Sequence, residues 1–212
     1  MVIPLYGALP SDFVDWVRCL LEAGLRVVLV QNNSGQQAAL PSDLQRRAEI
    51  PGSMLLLLYN HNHGGVAGGF NRGVEHAINL GAAWITLLDQ DSRLLPEDLI
   101  VLRGSLQEFD RPMLVGPLVW DASRQKMHGK VTSSSFNDYL VTRLLISSGT
   151  TFSAIHWPEL GPMCEWLVVD FVDHAWCFRA QVRGFLILQN PRVRLVQTFG
   201  MPHPNALCRW LG

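Results

Sequence analysis

The sequence predicts an α/β fold with a mostly parallel central sheet flanked by helices. In the first half of the chain, short apolar runs alternate with amphipathic segments, which is the pattern of parallel strands joined by helices. The chain has 212 residues, of which 48% are hydrophobic and 17% are charged. That length suits one well-buried domain and is short for two. The sequence contains no internal repeat and no low-complexity linker.

The first half of the chain gives four strands and the helices between them. The strands are predicted at residues 2–5, 26–31, 54–59 and 84–88, the third fully buried. Ser11 is placed to cap a first helix that Gly24 closes. A glycine-rich loop follows the third strand and leads into a helix that ends near Leu80. Pro96 opens the next helix, at a position that suits proline.

The second half of the chain is less regular. The strands are predicted at residues 113–120, 140–152, 185–188 and 193–196, the second interrupted by the segment Ser-Ser-Gly-Thr at 147–150. The polar stretch 121–138 is predicted to be rich in loops. Asp170 is expected to cap a helix that runs through Arg183, with Gly184 ending it.

Composition excludes several classes of function. A net charge of −1 provides no basic face for nucleic acid. The cysteines show no zinc-type spacing, and Cys19 and Cys177 are predicted to be buried thiols in a reducing compartment. The longest apolar run, residues 54–59, is far below the ~20 residues of a membrane helix. With no secretory signal visible, we expect a cytoplasmic protein.

Asp89 and Asp91 form the most informative pair in the chain. They follow a buried strand, and alternation along an extended chain sends both carboxylates to one side. Two close carboxylates tolerate each other poorly without a cation between them, and a hard divalent ion with open positions for phosphate suits such a pair. On spacing alone a plain turn is the better explanation, since Asp and Ser bond their own backbone.

The segment 61–73 is rich in glycine and enters a helix. Glycines allow the backbone to approach a ligand closely, and a helix N-terminus offers N–H groups to anions. Its spacing is neither that of a dinucleotide loop nor that of a P-loop. Close packing of helix against strand explains it equally well. His61 and His63 are candidate metal ligands, although a solvated loop pair is the commoner case.

A third candidate element is the start of the helix near residue 170. Asp170 and Asp173 can share a face of its first turn, where a carboxylate could serve as a general base. Arg179 could hold an acidic partner or a phosphate. Capping and the helix dipole explain both carboxylates without any function, and from the residues alone this explanation is favoured.

Together these elements resemble family 2 glycosyltransferases of the GT-A fold. The resemblance rests on Leu-Leu-Asp-Gln-Asp-Ser at 87–92, on Asn-Arg-Gly at 71–73, on Ser-Ser-Gly at 147–149 and on the segment 169–179. It covers the chain from Val2 to about Gly200. Within the family, the Leu-Leu-Asp-Gln-Asp-Ser motif is most similar to that of bacterial rhamnosyltransferases, which use dTDP-L-rhamnose. It implies one GT-A domain over residues 1–212, with a nucleotide-binding half at about 1–92 and an acceptor-side half at about 93–212.

The resemblance also implies roles for individual residues. Asp89 and Asp91 match the DxD carboxylates that hold Mg²⁺ or Mn²⁺, and Asp173 matches the catalytic base. The positions that would bind the nucleotide sugar are Gln31, Asn32, Gly68, Gly69, Asn71, Gly73 and, in addition to its metal role, Asp89. The acceptor-side positions are Ser148, Gly149, Asp170 and Arg179.

Three positions depart from the family pattern. Gln31 stands where the family has Asp, Gln197 where a histidine metal ligand is common, and Ala175 where an acidic residue follows the base. A neutral amide is a weaker ligand than imidazole for a transition ion.

The function that the resemblance implies is an inverting glycosyltransferase of cell-surface polysaccharide synthesis. It would move a sugar from a nucleotide diphosphate to a glycan or lipid-linked acceptor. The similarity to rhamnosyltransferases indicates that this sugar is L-rhamnose. A lipid-linked acceptor would imply peripheral membrane contact, which no basic amphipathic helix predicts. One alternative is a GT-A-like domain that binds nucleotide or glycan without transfer. Another is a nucleotidyltransferase, which the absence of Lys and Arg from residues 2–12 disfavours.

Overall fold

The computed structural model describes residues 1–35, 37–128, 135–167 and 171–198. The strands are β1 Val2–Leu5, β2 Val27–Gln31, β3 Leu55–Tyr59, β4 Trp84–Thr86, β5 Met113–Asp121, β6 Lys126–Met127, β7 Ser135–Phe136, β8 Tyr139–Val141, β9 Thr151–Ser153 and β10 Leu186–Gln197. The helices are α1 Phe13–Glu22, α2 Ser42–Glu49, α3 Gly65–Asn79, α4 Pro96–Ser105, α5 Trp157–Leu160 and α6 Val172–Val182, with 3₁₀ turns at Ala154–His156 and Glu165–Leu167.

The strands form a parallel half and a mixed half that meet at β1 and β4. In the first half β1, β2 and β3 are parallel neighbours in that order. The second half runs β4-β9-β5-β10-β8-β7, with β6 antiparallel to β5. A parallel bridge between Val2 and Leu87 joins the halves, and the Leu88 N–H donates to the Val2 carbonyl at 3.1 Å. Strand order thus reverses beside β4, and open α/β sheets bind ligands at such a reversal.

Helices cover both faces of the sheet. One core contains Phe13 of α1, Leu44 of α2 and Leu99 of α4. The other contains Phe70 of α3 and Trp176 of α6. The α/β fold class is therefore confirmed. Among the described residues, no helix has both the length and the apolar composition needed to cross a bilayer.

The predictions for the third strand and for the cap of the first helix were wrong. The third strand is only partly buried, and its Tyr59 is 48% exposed, because β3 pairs with β2 alone and forms an edge. Asp12, not Ser11, precedes α1, and it makes no side-chain cap. Its carboxylate is instead bound by Arg93 at 2.8 and 2.9 Å.

The sequence reading also missed α2, whose one buried residue is Leu44. Such a weakly amphipathic helix has little of the apolar periodicity on which prediction depends.

In the second half, the strands are divided at positions other than those predicted. The predicted strand 140–152 is two strands, β8 and β9, with the Ser-Ser-Gly-Thr segment between them. The predicted pair 185–188 and 193–196 is one strand, β10, whose register against β5 shifts between Asn190 and Arg194. Pro191 lies in this stretch. Because proline lacks the N–H that a regular β-ladder uses, it explains the irregular register.

Of the two thiols predicted to be buried, one is buried and one is exposed. Cys177 is buried, and burial raises the pKa of its thiol to about 12. Cys19 is exposed, so the prediction of a buried thiol there was wrong. The buried face of α1 is formed by Phe13, Trp16, Val17, Leu20 and Leu21, which turns residue 19 toward solvent.

The predicted glycine loop is the first half of α3, and its glycines bring that helix close to the sheet. A Cβ at Gly73 would collide with the side chains of Val2 and Val30. A Cβ at Gly69 would lie 2.9 Å from Asn32 Nδ2. The Gly68 N–H already donates to the Gly64 carbonyl at 3.0 Å. Close packing of helix against strand is therefore the structural role of these glycines.

A pair of helical glycines tests this packing. Gly73→Ala should destabilise the protein by about 1–3 kcal/mol through overpacking against β1 and β2. Gly104→Ala in α4, where an added Cβ has nothing within 4 Å, should stabilise it by about 0.5–1 kcal/mol through helix propensity. Urea unfolding measures both. Equal effects of the two substitutions would contradict close packing at Gly73.

Candidate active site at the carboxyl edge of the sheet

Polar side chains follow each of the first four strands and meet at one edge of the sheet. The buried Asn32 amide donates to the Tyr6 hydroxyl and to the Gly65 carbonyl, the latter at 2.8 Å. Asn60 Nδ2 donates to Asn32 Oδ1 at 2.6 Å. Asp89 follows β4 and is close enough to Tyr6 to raise its pKa, which burial chiefly raises to about 12. These residues form a prepared polar edge at the strand reversal.

Asp89 is the electrostatic centre of this edge. Burial raises the pKa of its carboxyl group to about 6, against the Ser148 hydrogen bond that lowers it, and the charges of Asp91 and Asp173 raise it further. The structure therefore brings the three predicted carboxylates into one electrostatic neighbourhood. Asp91 itself is exposed.

A chain of hydrogen bonds links Asp89 to the end of β10. Ser148 Oγ lies 2.5 Å from Asp89 Oδ2 and 2.8 Å from Ser92 Oγ. Ser92 Oγ donates to Gln197 Oε1 at 3.0 Å. Ser148, predicted on the acceptor side, thus contacts the donor-side carboxylate. Gln197, which matches the family's histidine, is linked to this chain of hydrogen bonds through Ser92.

Gly149 holds the turn that presents Ser148. Its φ is +88°, which L side chains rarely adopt, and a Cβ there would lie 2.5 Å from Pro117 Cδ. The Gly149 N–H donates to the Leu87 carbonyl at 2.8 Å, just before Asp89. Gly149, predicted on the acceptor side, therefore serves through its backbone conformation to position Ser148.

Gln90 fixes the loop after β4 to the loop after β1. Its side chain accepts from the Tyr6 N–H at 2.7 Å and donates to the Tyr6 carbonyl at 2.8 Å. Arg93 NH1 donates to the carbonyls of Gln90 and Ser92 at 2.8 and 3.0 Å. The contacts of Gln90 with Tyr6 and of Arg93 with the backbone thus fix the Asp-Gln-Asp-Ser segment that carries the two carboxylates.

The donor set fits a hard divalent cation that shares its coordination with substrate phosphate. Such ions bind through one or two carboxylates plus phosphate oxygens. Burial chiefly raises the pKa of Asp89, and the charges of Asp91 and Asp173 raise it further, so a nearby cation would favour its ionised form. Within the described ranges, no group of three or more His, Cys, Asp or Glu side chains could hold a metal by itself. Asp89 and Asp91 are the residues of this edge that could contribute to such a shared site.

Gln31, predicted to meet the nucleotide, bonds to the chain itself. Its Nε2 donates to the Ala38 carbonyl at 2.8 Å and its Oε1 accepts from the Ala38 N–H at 2.9 Å. An amide supplies a donor and an acceptor for this pairing, which the Asp of the family pattern could not do when ionised. Gln31 therefore orders the segment that follows β2.

Asn71, predicted on the nucleotide side, joins the two halves of the chain. Its Nδ2 donates to the Met163 carbonyl and to Glu165 Oε1, both at 2.9 Å. Its Oδ1 accepts from the Met163 N–H at 2.7 Å. The side chain is buried, so its polar atoms are directed at protein and not at a ligand.

The start of α6 places Asp173 and His174 beside each other. Asp173 Oδ1 accepts from the His174 backbone N–H at 2.9 Å and lies 3.1 Å from His174 Nδ1. Asp170 lies outside the described residues, and Phe171 precedes the helix with φ +63°. Arg179 donates to the carbonyls of Gly161 and Pro162, so it clamps the preceding loop.

A cavity of about 650 Å³ adjoins this site. Its polar lining residues are His128, Thr142, Arg143, Ser148, His174 and Gln189. Its apolar lining residues are Pro117, Val119, Leu144, Leu145 and Ile146. Because Ser148 lines the cavity and also bonds Asp89, the cavity begins where the carboxylate edge ends.

Sequence reasoning missed several residues of this edge, notably Tyr6, Asn60, Ser92 and His174. Tyr6 and Asn60 directly follow parallel strands, and this position alone could have identified them. Ser92 was quoted only as part of a turn. His174 has no comparable signal, because its role depends on the cavity that distant segments enclose.

Comparison with known proteins gives one curated relative. No protein-family model matches the chain. The dTDP-rhamnosyl transferase RfbF of Shigella flexneri is 28% identical over 151 residues, which are 64% of this chain and 49% of that protein. The match thus spans about half of the length of the relative.

Solved glycosyltransferase structures share the fold at low sequence identity. GalNAc-T7 with UDP, GalNAc and Mn²⁺ has a TM-score of 0.72 and 12% identity, over 94% of this chain and 43% of that one. The mannosyltransferase PcManGT of Pyrobaculum calidifontis with GDP-Man and Mn²⁺ has 0.62 and 15%, over 99% and 58%. S. aureus TarS has 0.61 and 14%, over 93% and 36%. Together with the curated relative, these structures confirm the predicted fold and resemblance.

The raised pKa of Asp89 predicts a pH-dependent stability. Folding favours the protonated carboxyl group, so this contribution is fully present below the ordinary pKa of 3.8 and is lost as pH rises through about 6. In metal-free buffer, Asp89→Asn should therefore raise Tm by at least about 2 °C more at about pH 7.5 than at about pH 4.

The control for this measurement is Asp12→Asn. The hydrogen bond from Arg93 chiefly lowers the pKa of Asp12, so its loss should not stabilise the protein at either pH. A Tm difference for Asp89→Asn that is the same at both pH values would contradict the raised pKa.

Proposed function

We propose, from the GT-A fold that this chain shares with family 2 glycosyltransferases, that it transfers a sugar from a nucleotide diphosphate to an acceptor hydroxyl group with inversion at the anomeric carbon. The observation that carries the proposal is the convergence of Asp89, Asp91 and Asp173 beside a cavity at the strand reversal. Residues 1–92 form the nucleotide-binding half in this proposal, and residues 93–212 the acceptor-side half.

The donor we propose is dTDP-L-rhamnose, in the synthesis of cell-surface polysaccharide. Its support is the Leu-Leu-Asp-Gln-Asp-Ser segment and the 28% identity to a dTDP-rhamnosyl transferase. Gln31 distinguishes this chain from the family pattern. Its pairing with Ala38 leaves recognition of the base to the backbone and side chains of the segment that it orders.

We propose that Asp89 and Asp91 hold Mg²⁺ or Mn²⁺ together with the donor diphosphate. When bound, such an ion stabilises charge on the leaving group. The protein contributes the placement of the carboxylates: Ser148 fixes Asp89, and Gln90 and Arg93 fix the loop that carries Asp91. Two GT-A neighbours were solved with Mn²⁺.

Asp173 supplies the base for the acceptor hydroxyl group in this proposal. Its carboxylate lies at the start of α6, in the field of Asp89 and next to the cavity-lining His174. As the acceptor oxygen forms its bond to the anomeric carbon, the hydroxyl proton leaves toward Asp173. The bond from the anomeric carbon to the diphosphate breaks, and the electron pair remains on the phosphate oxygen.

A second candidate function is binding of a nucleotide or glycan without transfer. Gln197 favours it, because its amide reaches the site where the family's histidine ligand is expected and accepts the Ser92 hydrogen bond. Tight Mn²⁺-dependent binding of dTDP, measured by calorimetry, without transfer or donor hydrolysis, would select this function.

The base assignment is tested by Asp173→Asn. Turnover should fall about 10²- to 10⁴-fold, which is the usual size of a general-base contribution. Binding of dTDP should stay nearly unchanged, since Asp173 is on the acceptor side. Asp110→Asn, an exposed substitution away from the site, is the control. Normal transfer by Asp173→Asn would remove Asp173 from the mechanism.

A screen of nucleotide sugars tests the donor. Thermal stabilisation and metal-dependent donor hydrolysis should be largest with dTDP-L-rhamnose and Mn²⁺, and EDTA or Asp91→Asn should weaken both. Stabilisation by UDP-sugars but not by dTDP-L-rhamnose would overturn the rhamnose assignment and keep the fold.

A further inference from the structure

His174 combines two contacts that no other described residue of α6 makes together. Its Nδ1 lies 3.1 Å from Asp173 Oδ1, and the residue lines the 650 Å³ cavity, which Asp173 does not line. The side chain of His174 is 41% exposed, against 24% for Asp173, so the imidazole is the more accessible of the two groups.

The chemistry of the contact fixes which nitrogen carries the proton. An ionised carboxylate only accepts hydrogen bonds, so His174 Nδ1 must be the protonated nitrogen of the neutral ring. The other nitrogen, Nε2, then carries a lone pair. A carboxylate that holds one imidazole nitrogen in this way fixes the tautomer and the orientation of the ring.

The ring is also held from its other side. Phe171 packs edge-on against it, with ring centroids 5.6 Å apart. Phe171 adopts a φ of +63°, a conformation that is unfavourable for a bulky residue and tends to persist at functional sites. Asp173 and Phe171 thus restrict the orientation of the imidazole.

We propose that His174 is the residue that touches the acceptor, and that Asp173 acts through it as a positioning residue. The inference rests on the proposed transfer reaction and replaces direct proton transfer to Asp173 with proton transfer to His174. Nε2 takes the proton of the attacking hydroxyl group while the oxygen bonds to the anomeric carbon and the sugar–phosphate bond breaks. Asp173 then balances the positive charge of the imidazolium, and the proton later leaves to solvent through the cavity.

Substitutions at His174 separate contact with the acceptor from orientation of Asp173. An Asn amide can reach Asp173 from the Nδ1 position, whereas nothing in Asn occupies the position of Nε2. With dTDP-L-rhamnose, Mn²⁺ and water as the acceptor, release of dTDP measures turnover. We expect His174→Ala and His174→Asn each to lose about 10²- to 10⁴-fold in kcat, with the donor KM unchanged.

The control is His76→Gln, an exposed histidine in the last turn of α3, which should keep the wild-type rate. Retention of kcat within about threefold by His174→Asn, as against the 10²-fold loss expected of a base, would overturn the proposal and leave Asp173 as the direct base.

NMR of the imidazole nitrogens gives a readout that does not need turnover. The wild type should show the Nδ1–H tautomer of His174, and Asp173→Asn should weaken that preference. An Nε2–H tautomer in the wild type would overturn the pairing even if transfer is observed. Conversely, absence of transfer with every nucleotide sugar would count against the proposed function while the tautomer still reports on the pair.

Discussion

The site depends on one contact, in which Ser148 holds the carboxylate of Asp89 beside the junction of β1 and β4. The contact lies within the mixed half of the sheet, next to the bridge between Val2 and Leu87 that joins this half to the parallel half. It fixes the carboxyl group whose pKa burial raises to about 6. The turn that carries Ser148 is bonded to Leu87 by its backbone. The geometry of the carboxylate edge is therefore set by the same interactions that assemble the two halves.

Several polar residues that resemble ligands serve as braces in this structure. Asn32 ties the ends of β1, β2 and β3 to the start of α3, Asn71 ties α3 to Met163, and Gln31 ties β2 to Ala38. A buried amide without partners is costly, so these side chains bond to the chain itself. The groups left to meet a substrate are the carboxylates, the cavity wall and His174.

The cavity and the carboxylate edge divide the chemistry between the halves of the chain. Three carboxylates lie close enough to interact at the edge, where a cation would balance their negative charge. The cavity combines apolar walls with Arg143 and two histidines. Ser148 belongs to both, which explains how a bound donor and an acceptor would meet at one point.

The sequence alone determined the α/β class and the order of the main strands, because apolar periodicity is a local property. It predicted site roles for Asp89, Asp91 and Asp173 only through the resemblance, since the residues alone favoured a turn and a helix cap. It could not determine that the glycine segment is helical, since only contact with Val2, Val30 and Asn32 gives those glycines their purpose. It could not separate ligands from braces, because Asn71 and Gln197 find partners about a hundred residues away along the chain. Only the tertiary structure placed His174, the neighbour of Asp173, at a cavity, since the walls of that cavity come from strands and turns that the chain brings together on folding.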